Sequence, residues 1–456
     1  MRQLHVQFIL LFILVGCSSQ TIDNAATTNE SVVTLTHTIS WTDRNPTATR
    51  TPAPTPSFTA TTTPIPTLTN TLTVTPQTFI ASPTPGSQIN YQCLEIMEGL
   101  PDEMFLEGTM VLFRYAREYF LYQGRTGNLR LINQDDQSIS PIISPNGMWL
   151  AYQTHGRGTG VREVIVARAD GEPNLIIPME NEWGVLLHWL DDQNLIMTRL
   201  DFLIPFVDSI IILNPFTGER RDFSPDYPDL YYDPVPSPLW GEDLLLTRTV
   251  YDPTLSRVVY PKGYFPATAV LWNHLPAAVV LWSLETNEVL AYFEDDDYWG
   301  QFPKWSRDGD QLAIIGTDFS QTETKQELYI VSRDGEKRQL TNLAGAYSGA
   351  RISDYSWSPD GRSIAFWVDR IEYSSRIIYY LMVIDVATGE MTNYCVFGGS
   401  EHTRPEAPIW SPSGEQLAVE YMRNDGSTAI NVVDLIDGYA ARILEDYRLI
   451  GWMTSP

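Results

Sequence analysis

Cysteine is scarce in this chain, with three residues in 456. So low a number excludes a disulfide-rich scaffold, and no two cysteines have the Cys-x-x-Cys spacing of a structural zinc site. Cys93 and Cys395 are the two that lie well beyond the N-terminus. In an exported protein they could form a disulfide, or they could be two separate buried thiols, and the sequence leaves both interpretations open.

Basic residues are also few, with 30 Lys and Arg against 56 Asp and Glu, so the formal net charge is −26. A surface this acidic repels a phosphate backbone, and we therefore expect no nucleic acid partner. Two acidic clusters, Asp191-Asp192 and residues 294–297, raise the question of a calcium site. The first stands where a turn is expected and the second is typical of a solvated loop, so we predict no metal and no cofactor.

The chain lacks the local signatures of common enzymes. It has no Gly-x-Ser-x-Gly elbow, no His-Glu-x-x-His and no P-loop. Its six histidines are isolated from one another in sequence: His5, His37, His155, His188, His274 and His402. A fold can still gather distant residues at one place, but no local pattern identifies a catalytic residue, and we assign none.

Long apolar runs are absent except for residues 6–15, which follow Arg2. This run is too short to cross a bilayer comfortably and suits a secretory signal. It ends in Gly16-Cys17-Ser18, which resembles the cleavage box of bacterial lipoproteins. In that interpretation residues 1–16 are removed, and acyl chains on Cys17 hold the protein on the outer face of the cell membrane, or on an outer membrane if one exists. The alternative is an ordinary signal peptide with a chance cysteine.

Residues 17–90 are dominated by Thr, Pro, Ser, Ala and Asn, as in Thr51-Pro52-Ala53-Pro54. Such a composition cannot bury a core, so we predict a disordered stalk. In polyproline geometry of about 3.1 Å per residue, the stalk could reach on the order of 200 Å.

A repeated unit occupies the rest of the chain. Four copies carry a turn such as Trp357-Ser358-Pro359-Asp360-Gly361 followed by an apolar triplet, at residues 143–152, 305–314, 357–366 and 410–419. Pro presets φ, Asp can bond its own backbone and Gly accepts positive φ, so each copy reverses an apolar strand into the next. A third strand, a second glycine turn and a short fourth strand follow. Four antiparallel strands with such turns predict one propeller blade.

Weaker copies complete the ring. Trp189 and Trp240 each precede an apolar triplet and mark a third and a fourth blade, the fourth with an insertion at residues 251–276. Strands at 110–113 and 119–122 lack a first strand, which the C-terminal segment 449–452 supplies. We thus predict, for residues 91–456, an all-β, seven-bladed β-propeller of four-stranded antiparallel blades. Six or eight blades stay open, because residues 91–108 could hold another strand.

The phrase Trp-Ser-Pro-Asp-Gly, with the triplet Ile364-Ala365-Phe366 and the turn Thr388-Gly389-Glu390, resembles the TolB-type, WD-like propeller repeat. The resemblance covers about residues 104–456. It implies a propeller fold and a role in interactions, and it implies no particular activity.

Propeller topology predicts two unlike faces. The tight turns between first and second strands, and between third and fourth, define one face, the turn face; the other connections define the loop face. Aromatic and basic residues on the loop face are the candidate ligand-binding residues, because rings above a rigid scaffold suit stacking on sugars or anchoring of peptides. They are Tyr231, Tyr232, Tyr264, Trp272, Tyr298, Trp299, Tyr347, Arg351, His402 and Arg404.

These features together predict a surface-anchored lipoprotein whose propeller binds a protein, a peptide or a glycan of the cell envelope without catalysis. The alternative is a propeller hydrolase or lyase acting on an extracellular glycan or peptide. Several carboxylates and a histidine converging on the propeller axis would favour the enzyme, and an apolar, aromatic rim would favour the binding module.

Overall fold

The structure, a computed structural model, describes residues 89–101, 105–114, 118–133, 139–155, 162–171, 173–179, 183–200, 207–223, 250–262, 278–294, 303–318, 325–347, 349–371, 377–398, 404–423 and 426–454. These residues form seven sheets and one short helix. No helix within them has the length and apolar character needed to cross a bilayer.

The chain begins with two short strands, β1 (Ile89–Tyr91) and β2 (Ile96–Glu98). The next strands belong to blades 1 to 3, in chain order: β3 (Thr109–Arg114), β4 (Glu118–Gln123), β5 (Asn128–Asn133); β6 (Ile139–Ile143), β7 (Leu150–His155), β8 (Arg162–Ala167), β9 (Pro173–Met179); β10 (Trp183–Trp189), β11 (Leu195–Leu200), β12 (Val207–Leu213), β13 (Arg220–Phe223).

Blades 4 and 5 follow, then a one-turn helix, blades 6 and 7 and a last strand. Their elements are β14 (Val250–Tyr251), β15 (Arg257–Lys262), β16 (Ala278–Ser283), β17 (Glu288–Glu294); β18 (Lys304–Trp305), β19 (Gln311–Asp318), β20 (Lys325–Ser332), β21 (Lys337–Gln339); α1 (Leu343–Ala346); β22 (Arg351–Trp357), β23 (Ser363–Ile371), β24 (Ile377–Asp385), β25 (Met391–Gly398); β26 (Ile409–Trp410), β27 (Gln416–Met422), β28 (Thr428–Asp434), β29 (Tyr439–Glu445); and β30 (Arg448–Met453).

Each blade is an antiparallel sheet of four strands in sequence order, except that blade 1 has the order β30-β3-β4-β5. The first strands of neighbouring blades adjoin one another, and β26 of blade 7 adjoins β30 of blade 1, so the sheets surround a common axis. The predicted seven-bladed propeller is confirmed. Apolar clusters fill the spaces between blades; for example, Leu328 of blade 5 packs with Phe366 and Met382 of blade 6.

The C-terminal strand closes the ring, as the sequence predicts. β30 pairs antiparallel with β3, with Met110 opposite Trp452 and Thr109 opposite Met453. Trp452 and Met453 are buried there. Blade 1 therefore takes its innermost strand from the end of the chain, and β3 has a partner on each side.

The segment that left the blade count open forms strands, but these add to existing blades. β1 pairs parallel with β25 as a fifth strand of blade 6, and β2 pairs parallel with β29 as a fifth strand of blade 7. A disulfide joins Cys93, between the two strands, to Cys395 of β25.

Blade 4 differs from the prediction. Within the described residues its first strand is β14, and the segment at Trp240, where the sequence predicts that strand, lies outside them. The Asp252 carboxylate accepts the backbone N–H groups of Ser256 (2.8 Å) and Arg257 (2.6 Å). This bonding closes the first turn without the Asp-Gly pair. The first part of the predicted insertion, up to β15, therefore consists of the opening strands of blade 4.

Candidate functional site

A cavity of about 910 Å³ follows the propeller axis and is lined by residues of all seven blades. Its wall comes from the innermost strands and the residues that flank them. Ile450 of blade 1, His188 of blade 3 and Ser356 of blade 6 are examples. This axial cavity is where a propeller brings residues distant in sequence together.

The tryptophans of the repeat line this cavity without being free to bind. Each donates its indole N–H to a backbone carbonyl of the preceding blade's first strand, which joins the blades at the axis. The bonds are Trp189 Nε1 to Ile142 O (3.2 Å), Trp305 Nε1 to Val250 O (3.4 Å), Trp357 Nε1 to Lys304 O (2.8 Å) and Trp410 Nε1 to Ser356 O (3.2 Å). The repeated tryptophans therefore hold neighbouring blades together.

Two cations at the loop-face end of the cavity are engaged by carboxylates of its own wall. Lys304 Nζ lies 2.8 Å from Asp354 Oδ1 and also donates to a backbone carbonyl. Arg448 Nη2 lies 2.7 Å from Glu406, and Arg448 Nε lies 3.0 Å from the buried Glu420. Burial raises the pKa of Glu420, while the Arg448 charge opposes the shift. These charges are matched pairs within the propeller wall.

At the turn-face end of the cavity, Asp192 of blade 3 contacts residues of two other blades. Its Oδ1 accepts the backbone N–H of Asn146 in blade 2 at 2.7 Å, and its Oδ2 lies 3.6 Å from Arg307 of blade 5. The neighbouring Asp191 accepts the backbone N–H of Asn194, also at 2.7 Å. Both residues of the Asp191-Asp192 cluster thus act within turns, as predicted. Residues 295–302, which hold most of the second cluster, lie outside the described residues.

His188 is the histidine on the cavity wall. Burial lowers its pKa to about 4, so its imidazole is neutral at pH 7. Within the described residues, no three His, Cys, Asp or Glu side chains lie close enough together to hold a metal ion.

Three of the ten candidate ligand residues fall within the described part of the chain: Tyr347, Arg351 and Arg404. The other seven lie outside it, as does Cys17: Tyr231, Tyr232, Tyr264, Trp272, Tyr298, Trp299 and His402. The Tyr347 hydroxyl is 2.6 Å from that of Tyr91 and accepts a hydrogen bond from Asn393 Nδ2 at 3.4 Å. It therefore contacts the segment that carries β1.

Arg351 and Arg404 meet around a buried carboxylate. Arg351 of β22 lies opposite Asp369 of β23, which in turn lies opposite Tyr379 of β24. Asp369 is 8% exposed, and its Oδ1 has no hydrogen-bond partner. Burial raises the pKa of Asp369, although the Arg351 and Arg404 charges lower it. We name Arg351, Asp369, Tyr379 and Arg404 the blade 6 charge cluster.

The cluster opens toward blade 7. Along β23, Ala365 and Trp367 pack with Leu417 and Val419 of blade 7, and Asp369 continues the same side of the strand. Both arginines are exposed, and neither forms an ion pair with another described residue. Sequence analysis found the arginines but missed Asp369 and Tyr379. The available signal was an acidic residue directly after the apolar run at residues 364–368 of β23.

No family model matches the chain, and no curated protein matches it significantly. Solved structures do resemble it. An oligogalacturonate lyase in complex with manganese has 12% identity, covers 76% of this chain and 86% of its own, and gives a TM-score of 0.45. A putative TolB from Agrobacterium tumefaciens has 15% identity, covers 77% and 93%, and gives 0.36. TolB from Acinetobacter baumannii has 12% identity, covers 81% and 98%, and gives 0.37.

At such identities the likeness concerns the fold alone. TolB structures are among the similar proteins, and the described sheets form the seven-bladed ring that the repeat resemblance implies. The described residues therefore form a seven-bladed β-propeller. The chemistry of its site has to be argued from its own residues.

Proposed function

We propose that the protein is a noncatalytic binding module, anchored on the outer face of a membrane through a lipidated Cys17. Its loop face takes an anionic group of a protein, a peptide or a glycan of the cell envelope. The blade 6 charge cluster is the binding site within the described residues. Cys17 itself is proposed on sequence grounds alone.

One contrast carries this proposal. Lys304 and Arg448 at the cavity mouth are already paired with carboxylates. Arg351 and Arg404 are exposed and form no salt bridge with a described carboxylate, although both charges act on the buried Asp369. A guanidinium presents a planar fork of N–H donors that matches a carboxylate, a sulfate or a phosphate. Two exposed guanidinium groups that both act on Asp369 therefore favour an anionic ligand.

The same ion pairs weigh against the enzymatic alternative. A hydrolase or lyase needs a carboxylate or histidine free to move a proton. Asp354 and Glu406 on the cavity wall are each held by a cation, and His188 is neutral at pH 7. The described wall therefore supports binding rather than proton transfer.

The net charge of −26 makes the proposal easy to test. A protein this acidic is repelled by polyanions as a whole, so retention on an acidic matrix has to come from a local cationic site. The chain from Ser18 onward is passed over resins carrying polyglutamate, alginate or neutral dextran. We expect retention on at least one acidic resin and none on dextran.

The paired variant Arg351→Gln/Arg404→Gln should lose this retention. Arg362→Gln is the matched control, because Arg362 belongs to the same blade, is 83% exposed and sits at the turn face. Equal retention of the paired variant and the wild type would refute the binding site. Failure of the wild type to bind either acidic resin would refute the anionic ligand class.

A further inference from the structure

The segment just before blade 1 runs along the outer edges of the last two blades. We call residues 89–99 the lead segment. Through β1 it pairs with blade 6, with Ile89 opposite Met391, and through β2 with blade 7, with Ile96 opposite Ala440. The chain then enters β3 of blade 1. The lead segment therefore pairs with blade 6 and then with blade 7, and the chain after it forms part of blade 1, which is the order of these blades around the ring.

Backbone hydrogen bonds continue between and beyond the two strands. Gln92 N donates to Asn393 O at 2.9 Å and Leu94 N to Tyr394 O at 3.2 Å. At the far end, Gly99 N donates to Arg442 O at 2.9 Å. A salt bridge of 2.6 Å between Glu98 and Arg442 lies beside it. The segment is thus held to both blades along most of its length.

Apolar side chains in and just after the lead segment reach three successive spaces between blades. Ile89 packs against the cluster between blades 5 and 6. Leu94 and Ile96 pack against the cluster between blades 6 and 7. Leu100 packs against the cluster between blades 7 and 1, which also contains Trp452 of β30. The last of these spaces is where the first and the last strands of the propeller meet.

The disulfide fixes this arrangement to blade 6. Cys395 has a φ of 56°, a left-handed conformation that is unfavourable for a residue with a Cβ. It lies where the pairing of β24 with β25 shifts register between Tyr380 and Met382. Asn393 Oδ1 supports the bulge by accepting the Cys395 N–H at 2.8 Å. A costly backbone conformation is thus kept at the residue that bonds to Cys93, which is a common sign of a functional constraint.

We propose that the lead segment is a covalently locked outer latch that closes the ring a second time. β30 closes blade 1 from the inside. Leu100, directly after the latch, packs into the same blade 7–blade 1 junction, and the disulfide, which joins positions 302 residues apart, holds the latch to blade 6. Opening the junction then requires both closures to separate.

Hydrogen exchange in the full exported chain tests the latch. Cys93→Ser/Cys395→Ser removes the covalent lock, and Ile96→Asp weakens β2 while the disulfide stays. We expect both variants to increase exchange at least tenfold for amides of β3 and β30. Exchange in β11 and β12 of blade 3, far from the junction, should stay unchanged and serves as the internal control.

Exchange limited to β25 and β29 would show that the segment merely covers two sheet edges, and the proposal would be wrong. If the variants do not fold, dithiothreitol added to the folded wild type provides the same comparison. Free thiols at both positions in the native exported protein would also overturn the proposal.

Discussion

At the scale of single residues, the Ser-Pro-Asp-Gly turn explains why its residues recur. In blade 6 the Ser358 hydroxyl donates to Asp360 Oδ1 at 2.6 Å, and Ser358 Oγ accepts the backbone N–H of Ser363 at 2.9 Å. Burial tends to raise the pKa of Asp360, but the hydrogen bonds from Ser358 and the Arg362 backbone outweigh it and lower the pKa. The repeated aspartates are therefore turn residues, as predicted, and need no catalytic explanation.

Gly361 offers a clean test of this turn. Its φ is 70°, and a Cβ placed there would meet nothing closer than Ser306 Cβ at 3.9 Å. Backbone strain alone should thus decide the effect of a substitution. We expect Gly361→Val to lower the free energy of unfolding by about 2 kcal/mol and Gly361→Asn by less than about 1 kcal/mol, because Asn tolerates positive φ.

Urea denaturation followed by tryptophan fluorescence measures both Gly361 variants. Anion retention should be unchanged in each, because the turn lies on the face opposite Arg351 and Arg404. A valine variant that is stable but no longer binds would show that the two faces were assigned the wrong way round.

The residues of the candidate site divide according to how local their signals are. Arg351 and Arg404 could be predicted from their place in connections between blades. Asp369 could not, because its importance comes from register: β22 and β24 place Arg351 and Tyr379 on either side of it. A sequence pattern shows which side of a strand a residue occupies but not which neighbours share that side.

At the scale of elements, the strands of a blade can be predicted where the residues of the turn specify the chain reversal by themselves. The four strong repeats yield the observed strands because Pro, Asp and Gly specify the reversal locally. Blade 4 was misassigned because its turn uses Asp252 and a left-handed Leu255 with φ of 55°. Arg333 of blade 5 also binds Asp252 at 3.1 Å. A contact from the next blade thus supports this turn, and no local sequence pattern predicts such a contact.

The closing strand makes the strongest prediction at this scale. Removal of residues 447–456 would strip β3 of its inner partner, β30, and expose the apolar surface that Leu449, Trp452 and Met453 cover. Burial of such side chains contributes about 1.5–3 kcal/mol each, so the loss should reach several kcal/mol. We expect a large fall in Tm by calorimetry.

Truncation after Thr454 is the matched control for that deletion, because it leaves β30 and the Thr454 N–H bond to Gly147 O intact. Its Tm should stay close to that of the wild type. Equal Tm values for the two truncated chains would contradict a role of β30 in ring closure.

At the scale of the whole molecule, ring closure could be predicted and its outer reinforcement could not. Blade 1 lacks a first strand in its own part of the sequence, and the C-terminal segment holds a strand that no other blade uses. Together these two features predict the closure. The disulfide has no such signal, since Cys93 and Cys395 are 302 residues apart. In the chain-entropy description, a covalent loop of that length stabilises the folded state by about 6 kcal/mol. The sequence therefore specifies the propeller more clearly than the latch.

The anchor remains a prediction from sequence. If Cys17 is acylated, its chains should keep the protein in the membrane fraction through high-salt washing, because each buried CH₂ contributes about 0.8 kcal/mol. Cys17→Ala should then accumulate unprocessed or be released, and it should not incorporate radiolabelled fatty acid.

Cys93→Ser is the matched cysteine control, and it should be labelled and retained like the wild type. A Cys17→Ala protein that still takes up fatty acid and sediments with membranes would place the anchor elsewhere. Loss of labelling without release is the unprocessed case, in which the uncleaved apolar segment at residues 6–15 keeps the variant in the membrane.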